Sequence, residues 1–187
     1  MPIPSTNVLP IGFPYLEKKR RTYDHIEKRE QLLIISQPAI ATSLDDFVVD
    51  LATHVDDGLH IVYKPHPQDK RDVMYKDRLR GSGIEVVDLD ADLYELFARS
   101  TYQLGVFSTA IFEGLAFSCR TLIVDLPGAE FMTPLIEAER ATLVQSPADV
   151  FTAMGESRGS ALELFAPVEP SQINDFLSSL VINDLNL

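Results

Sequence analysis

The chain has 187 residues, 45% of them hydrophobic, which is typical of one domain with a packed core and excludes a disordered chain. With 28 acidic and 16 basic residues its formal net charge is -12, so nucleic acid or an anionic membrane surface is not expected as a general partner. One small anion bound in a locally neutral pocket is compatible with this charge.

The cysteine content and the hydropathy of the chain indicate in which cellular compartment the protein is expected. Cys119 is the only cysteine, which excludes an internal disulfide and a metal site built from cysteines and suits a reducing compartment. No apolar run is long enough to cross a bilayer, and residues 1–5 lack the charged and apolar regions of a signal peptide. We therefore expect a cytoplasmic protein with no transmembrane segment, either free or peripheral at the inner face of the membrane.

The first part of the chain is rich in proline. Residues 1–16 contain prolines at four positions, a pattern that predicts an extended linker. The basic run at residues 18–21 is typical of the solvent-facing side of a helix. Because a compact domain seldom begins in this way, we predict a linker or hinge over residues 1–22 that follows another domain. One folded domain is predicted over residues 23–187.

Beyond this segment, short apolar runs alternate with segments of helical periodicity. The predicted strands cover residues 32–36, 60–63, 84–87, 102–107, 121–124 and 141–144. The predicted helices cover residues 43–56, 70–79, 92–98, 109–117, 131–139, 148–154 and 171–180. This alternation predicts an α/β fold, a Rossmann-like doubly wound parallel sheet of about six strands.

Right-handed crossovers place every strand-to-helix loop of such a sheet at one edge, where ligands bind. We call this edge, at the carboxyl ends of the strands, the rim. The loops expected at the rim are Gln37-Pro38 and residues 64–67, 88–92, 108–109 and 127–128. Asp90 or Asp92 is the expected cap of the helix over residues 92–98.

The segment from Gly105 to Phe117 has the pattern of a strand end, a sharp turn and a helix. Ser108 and Thr109 supply side-chain oxygens where the helix begins, and its unpaired N–H groups suit a phosphate. Glu113 lies one turn further along the same face. Its carboxylate would repel a phosphate directly ahead of it but could reach sideways to the two hydroxyls of a ribose. The alternative interpretation is a capped helix with a solvent-facing glutamate.

Lys64-Pro65-His66-Pro67 follows the second predicted strand. Each proline fixes its own φ and favours an extended conformation in the residue before it, so the backbone orients Lys64 and His66. Lysine offers a phosphate a point charge, and histidine offers a hydrogen-bond donor or a proton near neutral pH. The alternative is a stiff loop with an exposed histidine.

Three segments occur here in a characteristic order: Lys64 to Pro67 after a strand, then Asp92 to Phe97, then Ser108 to Phe117. Over about residues 31–145, the chain resembles the C-terminal, donor-binding half of GT-B-type glycosyltransferases. It is most similar to the CDP-glycerol glycerophosphotransferases of teichoic-acid synthesis and the bacterial polysialyltransferases, which build capsules. The UDP-N-acetylglucosamine 2-epimerases share the serine-to-glutamate helix more distantly.

The resemblance implies roles for single residues. His66 would be the catalytic residue, contacting the donor phosphate or helping the nucleotide to leave as charge develops on the phosphate. Lys64, Ser108 and Thr109 would bind the donor phosphates together with His66, and Glu113 would bind the ribose hydroxyls. The residues implied beside the sugar, polyol or base are Gln37, Asp92, Gly128 and Glu130.

The resemblance also implies the ligand. A nucleotide-activated sugar or polyol phosphate is expected, with a cytidine nucleotide favoured. A metal or other cofactor is not required in principle, because the helix dipole, Lys64 and His66 can offset the diphosphate charge.

The chain departs from the family in two respects. Ser118-Cys119-Arg120 stands where such families often have a helix-ending glycine and a small basic residue. The N-terminal half, which usually supplies the acceptor base, has no counterpart, so we expect the acceptor domain to be missing or separate.

Two alternative functions stay open. One is half of a sugar-nucleotide 2-epimerase, for which we find no convincing set of proton-abstracting carboxylates. The other is a non-catalytic nucleotide-binding or interaction module.

Overall fold

The computed structural model describes residues 12–55, 58–156, 165–166, 168–169, 171–176 and 178. Its strands are β1 Arg29–Ile35, β2 His60–Lys64, β3 Glu85–Val86, β4 Ser100–Gly105, β5 Arg120–Val124 and β6 Ala141–Val144. They form one six-stranded, all-parallel sheet in the order β3-β2-β1-β4-β5-β6. The predicted doubly wound Rossmann-like sheet is therefore confirmed, and its order reverses between β1 and β4.

Five of the helices connect consecutive strands, while the first precedes β1 and the last follows β6. The helices are α1 Pro14–Thr22, α2 Ala41–Ala52, α3 Met74–Gly81, α4 Leu93–Arg99, α5 Thr109–Ala116, α6 Thr133–Glu137 and α7 Pro147–Gly155. A 3-10 turn at Ala129–Met132 precedes α6, and residues 171–176 are also helical. Among the residues that the structure describes, no helix has the length and apolar character needed to cross a bilayer.

The core lies on both faces of the sheet. Residues 31–35 of the central strand β1 are all buried, and Leu104 of β4 and Ile123 of β5 beside it are fully buried. Such strands have apolar runs rather than alternating residues because both faces are covered by helices. Burial of each large apolar side chain stabilises the fold by about 1.5–3 kcal/mol. The sheet is therefore a rigid base from which the loops of the rim project.

The N-terminal segment differs from the prediction. The extended conformation expected over residues 1–16 is wrong from Pro14 onward, because α1 begins there and Leu16 is buried in the core. Proline is well tolerated at the first position of a helix, where its missing N–H would have no partner in any case. Residues 1–11 lie outside the described residues, and the assignment of residues 1–22 to a hinge stays a prediction.

Several elements differ in extent from the prediction. Helix α3 begins at Met74 rather than residue 70, because residues 69–72 form side-chain-supported turns: Arg71 N–H donates to Asp69 (3.0 Å) and Met74 N–H donates to Asp72 (3.0 Å). Strand β3 has only two residues. The helix predicted over residues 131–139 is a 3-10 turn followed by α6, which has a proline in its first turn. Helix α2 begins at Ala41 and ends at Ala52, so the helix predicted to continue to residue 56 is too long, and residues 179–180, where another predicted helix ends, lie outside the described residues.

Candidate functional site

The parallel strands bring the predicted loops to the rim. Ile35 at the end of β1 is in register with Lys64 at the end of β2, and Ile34 is in register with Leu104 of β4. Gln37, His66 and Ser108 therefore follow adjacent strand ends at the same edge. Gln37 is half-buried and follows the central strand, where the strand order reverses. Ligands of doubly wound sheets bind at this reversal.

The half-buried ring of His66 has a defined orientation. Its Nδ1 accepts a hydrogen bond from the backbone N–H of Gln68 (3.1 Å), and its carbonyl accepts one from the N–H of Asp69 (2.9 Å). Because Nδ1 accepts, a neutral ring carries its proton on Nε2. The turn over residues 66–69 therefore makes Nε2 the donor that His66 can offer to a ligand.

Lys64 lies below the rim rather than projecting from it. The residue is 6% exposed, and its Nζ donates to the carbonyl oxygens of Leu89 (2.7 Å) and Pro65 (3.2 Å). Burial lowers the pKa of Lys64, and the carboxylate of Asp90 opposes part of this shift. Lys64 thus links the end of β2 to the loop before α4, and its contact with a phosphate stays a prediction.

Ser108 is the N-cap of α5. Its backbone is extended (φ -175°, ψ 146°), and its Oγ accepts a hydrogen bond from the N–H of Ala110 (3.2 Å). Thr109 is exposed at the first helical position. A Cβ on Gly105 would lie 3.2 Å from Ile35 O and from Cδ1 of Ile111, so glycine lets β4 turn tightly into α5. The predicted strand, turn and capped helix are confirmed, and the positive end of α5 lies at the rim.

Glu113 lies beside the neighbouring helix. Its half-buried carboxylate lies close to the hydroxyl of Tyr94 in α4, and burial together with this carboxylate raises the pKa of Tyr94. The side chain therefore reaches sideways along the α4–α5 interface, as expected of a glutamate that does not point at the helix N-terminus. Its binding of a ribose stays a prediction.

Asp92 caps α4 and also holds α1. Its Oδ1 accepts from the N–H of Tyr94 (2.9 Å), which confirms the predicted cap, and its Oδ2 accepts from Lys19 Nζ (2.9 Å) and Tyr23 OH (2.8 Å). Burial alone would raise the pKa of Asp92, but the hydrogen bonds from Lys19 and Tyr23 outweigh it and lower the pKa. Both carboxylate oxygens are therefore used within the protein, and a contact with sugar or base stays a prediction.

The loop after β5 is packed against an aromatic residue that the sequence did not indicate. Gly128 has φ +102°, and a Cβ there would lie 2.2 Å from Cδ1 of Phe107. Its N–H donates to Glu130 Oε2 (2.9 Å). Phe131, 66% exposed, meets Phe107 edge to face with ring centroids 5.9 Å apart. The loop thus presents an exposed aromatic ring beside the end of β4.

A second group that sequence reasoning missed lies beneath the His66 loop. Arg71 donates to Asp69 from Nη2 (2.7 Å) and from Nε (3.1 Å), and to Asp45 of α2 from Nη1 (2.5 Å). The hydroxyl of Tyr63 is hydrogen-bonded to Asp45 (2.5 Å) and Ser36 (2.7 Å). The one available signal was Asp45 itself, a carboxylate between buried apolar positions of α2.

Within the described ranges, no group of three or more His, Cys, Asp or Glu residues could hold a metal ion. A cavity of about 410 Å³ lies at the opposite edge of the sheet, between α1 and the C-terminal ends of α4 and α5. The candidate residues from the sequence lie at the rim instead, so this cavity does not include them.

No family model matches the chain, and no curated protein matches it. Among the solved structures that do match, WaaG, a glycosyltransferase involved in lipopolysaccharide biosynthesis, has a TM-score of 0.52 at 13% identity, covering 79% of this chain and 46% of that chain. The wall teichoic acid polymerase TagF has a TM-score of 0.51 at 13% identity, covering 92% of this chain and 47% of that chain. These likenesses show the fold, a Rossmann-like half of the GT-B type. The chain spans about half the length of each of these two structures.

Proposed function

We propose that this chain is the donor-nucleotide-binding domain of a glycosyl- or polyol-phosphate transferase in surface-polysaccharide synthesis. The observation that carries the proposal is the start of α5, capped by Ser108 at the rim, with the oriented ring of His66 following β2 at the same edge. Backbone N–H groups at a helix start, hydroxyl groups and an imidazole donor form a suitable set for a diphosphate. The structural neighbours support the proposal, since both act in the synthesis of cell-surface polymers.

Each predicted residue has a part in this proposal. The donor phosphates lie against the start of α5, where Ser108 and Thr109 contact them, and Nε2 of His66 donates to a phosphate oxygen. Lys64 adds positive charge from below the rim. Glu113 accepts from the ribose hydroxyls beside Tyr94. The remaining predicted contacts, to base, sugar or polyol, are those of Gln37, Asp92, Gly128 and Glu130.

The chemistry follows from where charge develops. When the bond between the transferred group and the nucleotide breaks, negative charge increases on the departing phosphate, and a donor already oriented toward it stabilises the transition state more than the ground state. We assign this role to His66. An acceptor-binding domain must complete the cleft, and we propose that this chain works with one, in the cytoplasm or at the inner face of the membrane.

Calorimetric titration with CMP, CDP, UDP and ADP tests the proposal. We expect cytidine nucleotides to bind more tightly than ADP, and weakly in absolute terms, because this chain spans about half the length of the two structures that it matches. Equal affinity for all four nucleotides, or no binding of any, would contradict a donor site at the rim. Binding with no turnover once an acceptor domain is supplied would leave a nucleotide-binding module instead.

A further inference from the structure

We propose that Arg71 is a positioning residue that fixes the ring of His66 at the rim, an inference that rests on the proposed function. Arg71 lies in the loop that follows β2, five residues beyond His66 in the chain. It has no predicted contact with a ligand. Its hydrogen bonds instead join the turn that carries His66 to the buried part of α2.

The first half of this link is the turn itself. Two hydrogen bonds define the ring position: Gln68 N–H to Nδ1 of His66 and Asp69 N–H to the His66 carbonyl. Asp69 is in turn held by Arg71, whose backbone N–H, Nε and Nη2 all donate to its carboxylate at 2.7–3.1 Å. The position of the Asp69 backbone, and with it the His66 turn, therefore depends on Arg71.

The second half of the link is the attachment to α2. Nη1 of Arg71 donates to Oδ2 of Asp45, which is 3% exposed, and Oδ1 of Asp45 is hydrogen-bonded to Tyr63 in β2. The guanidinium also stacks on the ring of Tyr75, 3.8 Å from its centroid. Burial raises the pKa of Asp45, while hydrogen bonds from Tyr63 and Arg71 oppose the shift. Arg71 thus compensates the negative charge of both the buried carboxylate of Asp45 and the loop carboxylate of Asp69.

A lysine at position 71 cannot make the contacts that Arg71 makes with both carboxylates. A guanidinium presents a planar set of donors that can reach two carboxylates at fixed angles, whereas an ammonium group is a single point charge on a flexible stem. Arg71→Lys therefore keeps the charge and loses the geometry. Arg78→Lys is the matched control, because Arg78 in α3 also pairs with a carboxylate of α2, Asp46 (2.6 Å), but on an exposed surface away from the His66 turn.

The first measurement uses the nucleotide-free protein. In ¹⁵N spectra of the imidazole rings, the Nδ1 signal of neutral His66 should show an accepted hydrogen bond in the wild type and in Arg78→Lys. In Arg71→Lys it should move toward the value of a solvent-exposed histidine. An unchanged His66 signal in Arg71→Lys would overturn the inference whatever the protein binds.

The second measurement is the CMP dissociation constant at about pH 8, above the range in which histidine ordinarily changes charge, so that Nε2 donates to the phosphate while Nδ1 still accepts from Gln68. Wild type and Arg78→Lys should bind CMP equally well, and His66→Ala should bind it about tenfold more weakly, because the donor to the phosphate is lost. Arg71→Lys should approach the affinity of His66→Ala. The other titratable or charged groups around this loop, which must be checked for their own effects, are Asp45, Tyr63, Lys64, Asp69, Tyr75 and Asp90.

The two measurements separate the two hypotheses. If wild type binds no CMP, or if His66→Ala leaves the affinity for CMP unchanged, the proposed function fails while the ring signal still tests the role of Arg71. If His66→Ala weakens CMP binding and Arg71→Lys does not, Arg71 is not a positioning residue. Should Arg71→Lys fail to fold, Asp69→Asn removes one partner of the guanidinium and is expected to give the same two changes in weaker form. No change in either would refute the inference.

Discussion

Replacement of Glu113 by glutamine offers the sharpest test of the ribose contact. The change keeps the size of the side chain and removes its charge. A hydrogen bond to a charged group is worth about 1.5–3 kcal/mol and a neutral one about 0.5–1.5 kcal/mol, so each ribose bond should weaken by about 1–1.5 kcal/mol. Two hydroxyls give about 2–3 kcal/mol, or roughly a 30- to 150-fold rise in the CMP dissociation constant.

A ligand without the hydroxyls provides the comparison. For 2′,3′-dideoxy-CMP, Glu113→Gln should cause no loss and a small gain, because the carboxylate lies one turn from the helix end that receives the phosphate. Isothermal calorimetry with both ligands measures the difference directly. Equal losses for CMP and the dideoxy ligand would place Glu113 away from the ribose.

Two variants serve as controls for this experiment. Glu95→Gln makes the same chemical change on α4, where the carboxylate is already paired with Arg99 (2.5 Å), and should leave both affinities unchanged. Tyr94→Phe removes the hydroxyl that lies beside Glu113 but keeps the charge of the carboxylate. It should weaken CMP binding less than Glu113→Gln does, because the carboxylate stays available to the ribose. A larger loss in Tyr94→Phe would mean that tyrosine, rather than glutamate, carries the contact.

Three further predictions concern stability and reactivity. Gly128→Ala should lower the free energy of unfolding, measured in urea, by about 2–4 kcal/mol, because it combines left-handed backbone strain with a clash against Phe107. Gly155→Ala is the control: its Cβ would have no atom within 4 Å, and the free energy of unfolding should change by less than about 1 kcal/mol. The pKa of Asp92 lies below its ordinary 3.8, so its ionised carboxylate stabilises the folded protein. The difference in unfolding free energy between wild type and Asp92→Asn should therefore be largest at neutral pH and disappear as acid protonates the wild-type carboxyl. Denaturation down to about pH 2 measures this difference. Burial raises the pKa of Cys119 to about 11, so iodoacetamide at about pH 8 should alkylate it only after unfolding.

The sheet could be predicted from the sequence because its strands are buried on both faces. Their apolar runs, such as residues 32–35 and 121–124, have no competing interpretation once helical segments separate them. The caps at Asp92 and Ser108 were also predictable, since a cap depends on residue type and on neighbours two or three positions away. Local chemistry was sufficient in each of these cases.

What could not be predicted depends on residues far apart in the chain. The pattern of residues 70–73 is compatible with a helix, but the carboxylates of Asp69 and Asp72 form turns, and a guanidinium held by Asp45 stabilises them. Tertiary hydrogen bonds of this kind override helix propensity. Lys64 is a similar case, because only the position of Leu89 across the rim determines that its ammonium group is buried.

Helix α1 lies beside the candidate site. Lys19 pairs with Asp92, and its Nζ lies 5.1–5.8 Å from the ring centroids of Tyr15, Tyr23 and Tyr94. The hydroxyl of Tyr94 in turn lies close to Glu113. The part of the chain whose prolines and basic residues predicted a linker therefore contacts Asp92 directly and lies beside Tyr94, the neighbour of Glu113. If residues 1–22 also act as a hinge toward an acceptor domain, a movement of α1 changes the surroundings of Tyr94 first, and the ribose contact of Glu113 is the part of the proposed site that such a movement disturbs.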